Sequence, residues 1–209
     1  MASQDKKFAR CEPDERKALL INSAIQCLIT EGYAGLSVRK ITKHAEVSQG
    51  LVNHHFGSVY NLIAESYRYI SEKYLTLIKD KIKNSPQETA SAKMELFFDE
   101  YISAEVLDPD LLKAWLVFWS LTRDSQEMYQ TYSEVNQQTL GLLKELLTDI
   151  CCEESLSTEN IAFAADSLMA LIDGIWLREC LSSSGVPDAE KGRRIADHWL
   201  KGFRKGAFE

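Results

Sequence analysis

The sequence predicts an all-α protein, with a small amino-terminal helix-turn-helix module joined to a larger helical body. Three observations predict it. Apolar residues recur at three- and four-residue spacing over long segments, and no strand-like alternation lasts. Only four prolines, at positions 13, 86, 109 and 187, interrupt the chain, and three of them stand where one helical pattern stops and another begins. The 209 residues are 45% apolar and 26% charged, an ordinary globular balance with enough chain for a real core.

The elements follow in order. A first helix is expected over 14–31, where Ile21, Ala24, Ile25 and Leu28 form one stripe and Gly32 supplies the stop. A short helix over 37–44 starts at Ser37 as N-cap and turns Val38, Ile41 and Ala45 inward. Glu46-Val47-Ser48 reads as a tight turn. Ser48 then caps a third helix over 49–55. Gly57-Ser58 breaks the chain before a long helix over 59–83. Beyond Pro86 the pattern predicts helices at 88–106, 110–122, 125–152, 157–182 and 188–204, about nine helices in all. The head is read as residues 1–60, comprising an amino-terminal arm and the helix-turn-helix, and the body as 61–209. The boundary falls in the continuous helix that begins at 59.

Several classes drop out. No stretch approaches the roughly 18–20 uncharged apolar residues of a membrane helix. The polar segment 1–13 has no apolar signal core, so a cytoplasmic protein without a membrane partner is expected. Five cysteines (11, 27, 151, 152 and 180), without a CxxC pair, fit reduced thiols rather than a disulfide framework or a zinc site. His44, His54 and His55 lack an acidic or thiol partner nearby, so no metal and no other cofactor is expected. No GxSxG, Walker loop, HExxH or glycine-rich dinucleotide turn points to an enzyme. An acyltransferase reading of His54-His55 needs Asp at 59, where the chain has Val.

The net charge is −7, yet residues 1–60 carry eight basic and six acidic side chains. A mildly basic head on an acidic body is what a protein needs if the head alone meets phosphate. Residues 37–56 read SVRKITKHAEVSQGLVNHHF. Two short helices pack through Ile41, Ala45, Val47 and Val52, leaving Gln49, Asn53 and His54 polar and free, with Gly50 allowing close approach. Gln and Asn can pair with adenine in the major groove. Arg39, Lys40 and Lys43, with the amide ends capped by Ser37 and Ser48, suit phosphates.

The capped short helix, the Val-Ser-x-Gly and the end Asn53-His54-His55-Phe56 resemble the TetR family of bacterial repressors. That resemblance implies that the second short helix reads bases and that His55 and the start of the next helix, Ser58 to Tyr60, lie at the DNA. Two positions depart from the family: Glu46 replaces a turn glycine, and Val59 stands where a phosphate-binding Lys is usual. The missing contact would move to Tyr60.

In the body, Trp115, Phe118 and Trp119 share one helix face, and Asp173 shares another with Trp176, with Gly174 allowing close packing. Ring faces beside a carboxylate suit a quaternary ammonium ligand, although such a stripe also serves as core. Glu100 and Glu105 are further candidates to face a cavity. The segments KAWLVFW and LIDGIWLR resemble the BetI type of that family, the choline-responsive repressors of glycine-betaine synthesis. The resemblance implies a small-molecule inducer such as choline or betaine aldehyde; another hydrophobic or cationic inducer is the alternative.

Ala165, Leu168, Met169 and Ile172 form one apolar stripe, and Ile195, Trp199 and Phe203 another. Paired across a two-fold axis they would make a homodimer interface and present two recognition helices to double-stranded operator DNA. The same stripes can instead serve the protomer's own core. A helical protein–protein adaptor is the rival from another class; it predicts no salt-sensitive DNA affinity.

Overall fold

Helix starts follow the capping chemistry of the chain. Ser58, Thr89, Asp108, Ser125 and Asp188 each accept a hydrogen bond from a backbone N–H in the first turn they precede. These caps satisfy donors that the helix itself leaves open. A computed structural model describes residues 13–86, 89–182 and 186–206. The amino-terminal arm, Cys11 and the expected helix start at 88 lie outside them.

The described chain is helical throughout, without a strand: α1 (Pro13–Glu31), a 3-10 turn (Gly32–Gly35), α2 (Val38–His44), α3 (Gly50–Phe56), α4 (Val59–Lys83), α5 (Ala90–Tyr101), α6 (Pro109–Leu121), α7 (Gln126–Glu154), α8 (Ile161–Cys180) and α9 (Ala189–Phe203). Among the described residues, no helix is long and apolar enough to cross a membrane. Cys27, Cys151, Cys152 and Cys180 are free thiols.

α5 ends at Tyr101, short of the expected 106, because Ile102–Leu107 turns back on itself. The Ser103 hydroxyl accepts from the Val106 N–H at 3.2 Å, and Val106 and Leu107 are buried. α8 starts at Ile161 rather than 157. Glu46 adopts φ 53°, the left-handed turn the sequence requires between α2 and α3.

The head closes on Leu20, Ala24, Leu28, Ile41, Val52 and Leu62, all fully buried. α1 then lies against α4 and α6, and the 3-10 turn also meets α6. This turn sits so close to α1 that a Cβ on Gly35 would lie 2.3 Å from the Cys27 carbonyl oxygen. α4 carries the head into the body without a linker. Arg68 of α4 reaches Glu134 of α7 at 2.7 Å and fixes the upper part of the helix to the bundle.

Candidate functional site

Two faces carry chemistry. In the head, Gln49, Gly50, Asn53 and His54 are exposed along α3, and Arg39, Lys43, Ser48 and Tyr60 are exposed around it. A Cβ on Gly50 would meet nothing within 4 Å, so the backbone there is open to close approach. Ser37 and Ser58 are half-buried. The Ser58 hydroxyl accepts from the Asn61 N–H at 3.0 Å, while the Asn61 side chain donates to the Phe56 carbonyl at 2.7 Å. The two bonds lock the turn that joins α3 to α4.

Three expectations for this face are corrected. Ser48 does not cap α3: the helix begins at Gly50, Gln49 is the N-cap, and no side chain caps it. Ser37 does precede α2 as N-cap, but its hydroxyl makes no capping bond. Lys40 is committed to Glu31 and to the Ala34 carbonyl, which takes it out of the phosphate set. His55 is half-buried, edge-on to His54, with its Nε2 buried and unpartnered. Desolvation, together with His54, Arg16 and Lys17, lowers its pKa and disfavours the charged ring.

In the body, α4, α5, α6, α7 and α8 enclose a cavity. Trp176 of α8 forms its central wall. It stacks on Tyr101 at 5.1 Å and on Trp119 at 6.3 Å between centroids, and leans on Trp115 at 5.8 Å. Its indole N–H donates to the Tyr101 carbonyl at 3.1 Å, which fixes the ring. Tyr67 and Tyr132 add further ring faces. Burial pushes the Tyr67 and Tyr101 phenols up, so both stay neutral.

Asp173 opens into this aromatic box. Among the described residues, no hydrogen bond or ion pair holds its carboxylate. Desolvation raises its pKa to about 6, and nothing cationic nearby offsets that. A buried carboxylate without a partner is costly. The site therefore favours a molecule that brings a positive charge and presents apolar surface to the rings. The cavity admits the centres of water-sized molecules over about 50 Å³. That is roughly three to five water positions, a space on the scale of a compact ligand.

Trp115, Trp119, Asp173 and Trp176 all line the cavity. Phe118 does not: it is fully buried behind Tyr67 and belongs to the core. Glu100 and Glu105 line the mouth, with Glu100 paired to Lys81. Met169, expected at a dimer face, lines the cavity instead. Ala165, Leu168 and Ile172 are fully buried and Phe203 nearly so, all within the protomer, so they pack its own core and are closed to a partner. Trp199 is half-buried, its indole donating to Ser167 at 3.2 Å; Ile195 is exposed. Arg178, about one and a half turns along α8 from Asp173, is exposed. Tyr67, Tyr101 and Tyr132 are cavity residues that the sequence reading missed. Their only signal was a tyrosine on the apolar side of a long helix.

The comparisons agree with this two-part arrangement. Residues 20–65 match the profile described as bacterial regulatory proteins of the tetR family. Residues 90–205 match the BetI-type transcriptional repressor carboxy-terminal profile. The chain is 28% identical over 188 residues to the HTH-type transcriptional regulator BetI of Vibrio campbellii, covering 90% of this chain and 92% of that protein. It superposes on the crystal structure of a protein described as a transcriptional regulator from Pseudomonas aeruginosa PAO1 with a TM-score of 0.85, at 35% identity and 98% coverage of both chains. A Saccharomonospora viridis structure described as a transcriptional regulator in complex with choline shares the fold, with a TM-score of 0.78 at 14% identity, over 90% of this chain and 96% of that one.

Proposed function

Starting from the fact that the chain belongs to the TetR family of DNA-binding transcriptional regulators, with the BetI-type repressor carboxy-terminal domain, we propose that it is a cytoplasmic repressor that senses a small quaternary ammonium compound, choline or betaine aldehyde. The matched family and relatives are transcriptional regulators, not enzymes.

One observation carries the ligand reading: the Asp173 carboxylate stands without a cation beside Trp115, Trp119 and Trp176. A methylated ammonium supplies charge and lies against ring faces without needing a hydrogen-bond acceptor. The cavity is on the scale of such a compact cation. The choline bound within the same fold in the Saccharomonospora viridis protein is consistent with this chemistry.

The proposed operator contacts are Gln49, Asn53 and His54 to base edges, and Arg39, Lys43, Ser58 and Tyr60 to phosphate. The head comprises residues 1–60 and the body 61–209. The proposed homodimer face is the outer side of α8, where Ala170, Leu177 and Leu181 are exposed and a Cβ on Gly174 would meet nothing, together with Ile195 of α9. Ligand must prefer the conformation that leaves DNA, because equal affinity for both shifts nothing.

Calorimetry tests the reading. Choline and betaine aldehyde are expected to bind wild-type protein, and Asp173→Asn to lose most of that affinity. Tighter binding of lipophilic cations or acyl compounds than of choline would replace this inducer with another.

A further inference from the structure

Of the four tryptophans, two have indole donors with firm partners: Trp176 gives its N–H to the Tyr101 carbonyl and Trp199 to Ser167. Trp115 does not. It is 5% exposed, it lines the cavity, and its Nε1 is buried with no acceptor. A buried donor left open is rare in a native protein and costs free energy. The ring is nonetheless well held by others, edge-on to Tyr67 at 5.4 Å and inclined to Trp176 at 5.8 Å.

We infer that Trp115 is a specificity-determining residue, whose indole N–H donates to an oxygen acceptor on the ligand while Asp173 and the ring faces hold its cation. The inference rests on the cation reading above and deepens it: the ligand class becomes a quaternary ammonium with a hydroxyl or carbonyl oxygen a short carbon chain away. Nε1 is buried without a partner, so a ligand oxygen would engage it through a tilt of the ring. A tilt of Trp115 also disturbs its contact with Tyr67 of α4, the helix that enters the head. A site that offers a buried donor discriminates strongly against an analogue that cannot accept.

The probes are choline, its O-methyl ether, propyltrimethylammonium and tetramethylammonium, each titrated into the full-length protein by calorimetry. The ether keeps the acceptor and lacks the donor; the last two have no oxygen. Choline and its ether are expected to bind at least about tenfold tighter than the oxygen-free cations. In Trp115→Phe that preference is expected to shrink to within about twofold, while Trp199→Phe, outside the cavity lining, retains it. Equal wild-type affinity for all four cations overturns the inference and leaves the cation site standing, as does a folded Trp115→Phe protein that keeps the preference. If none of the four binds, the cation reading falls and this inference falls with it.

Discussion

Tyr67 of α4 and Trp115 of α6 meet edge to face, their ring centroids 5.4 Å apart and their planes at 88°. The contact joins the cavity wall to the helix whose first turn, at Ser58, closes the recognition module. α6 also lies against α1 and the 3-10 turn, so a ring displaced in the cavity pushes on the head along two helices. Tyr67→Leu removes the edge contact while keeping an apolar side chain. Its expected effect is on coupling: choline still binds, but the ratio of operator dissociation constants with and without choline falls to within about twofold of one. Fluorescence anisotropy on labelled operator DNA checks this; an unchanged ratio would show that the signal bypasses this pair.

The raised pKa of Asp173, about 6 through desolvation, predicts a pH-dependent affinity for a cationic ligand. Choline carries a fixed charge, so only the carboxylate titrates. Affinity is expected to be about tenfold lower at pH 5 than at pH 7.5, and to level off above pH 7. The effect on folding has the opposite sense. A carboxyl with a folded pKa above its unfolded value contributes stability that is full below about 3.8 and is lost as pH rises through about 6. Asp173→Asn should flatten both profiles. Calorimetry and urea titrations from pH 4 to 8 measure them, and a wild-type binding profile flat across pH 6 would rule out the carboxylate as the cation's partner.

The helices were legible because capping residues and a three-to-four-residue apolar period are local. The expected caps were less so: Ser37 and Ser48 make no capping bond, whereas Ser58, Asp108 and Ser125 cap α4, α6 and α7. The cavity was half legible. Trp115, Trp119, Asp173 and Trp176 sit in two compact segments, whereas Tyr67, Tyr101 and Tyr132 come from three separate helices that only the fold brings together. For the apolar stripes of the body the sequence left two readings open, a dimer face or the protomer's own core, for a physical reason. α8 is apolar on two sides, with Leu168 and Ile172 turned inward and Leu177 outward. Periodicity finds both stripes and does not say which one the protomer keeps for itself.

On the head, base readers and phosphate grips should separate under mutation. Asn53→Ala with Gln49→Ala is expected to weaken operator binding by about 1–3 kcal/mol per lost base contact, leaving non-specific binding and its salt slope unchanged. Arg39→Ala and Lys43→Ala should weaken specific and non-specific binding alike and reduce the salt slope by about one each. Electrophoretic or anisotropy titrations at several salt concentrations distinguish the two patterns. A double variant that binds operator as tightly as wild type would remove α3 from the groove.

Gly35 marks the tightest backbone approach in the head. A methyl group there would lie 2.3 Å from the Cys27 carbonyl oxygen and 2.7 Å from its carbon, atoms held inside α1. The neighbour is backbone and has nowhere to turn. Gly35→Ala should therefore cost about 1–3 kcal/mol or more through forced displacement of the 3-10 turn. The urea midpoint of unfolding reports it. A midpoint within error of wild type would mean the turn moves freely on α1.

The last test concerns the outer side of α8. Leu177 is 41% and Leu181 72% exposed, and Ile195 of α9 is 37% exposed. Large apolar side chains left in water on a face that also carries Ala170 and the open Gly174 fit a second copy of the chain, since small residues let helices approach closely. Leu177→Glu with Leu181→Glu places like charges against each other across a two-fold axis. Sedimentation should then show a folded monomer. Affinity for a two-half-site operator should fall by about 10²–10⁴, because each head binds without the other's help. The inward stripe behaves differently: Leu168→Ala or Ile172→Ala should lower stability by about 2–5 kcal/mol by opening a cavity, with no clean step to monomer. Should the double glutamate variant remain a dimer at micromolar concentration, the two-fold contact must lie on another face.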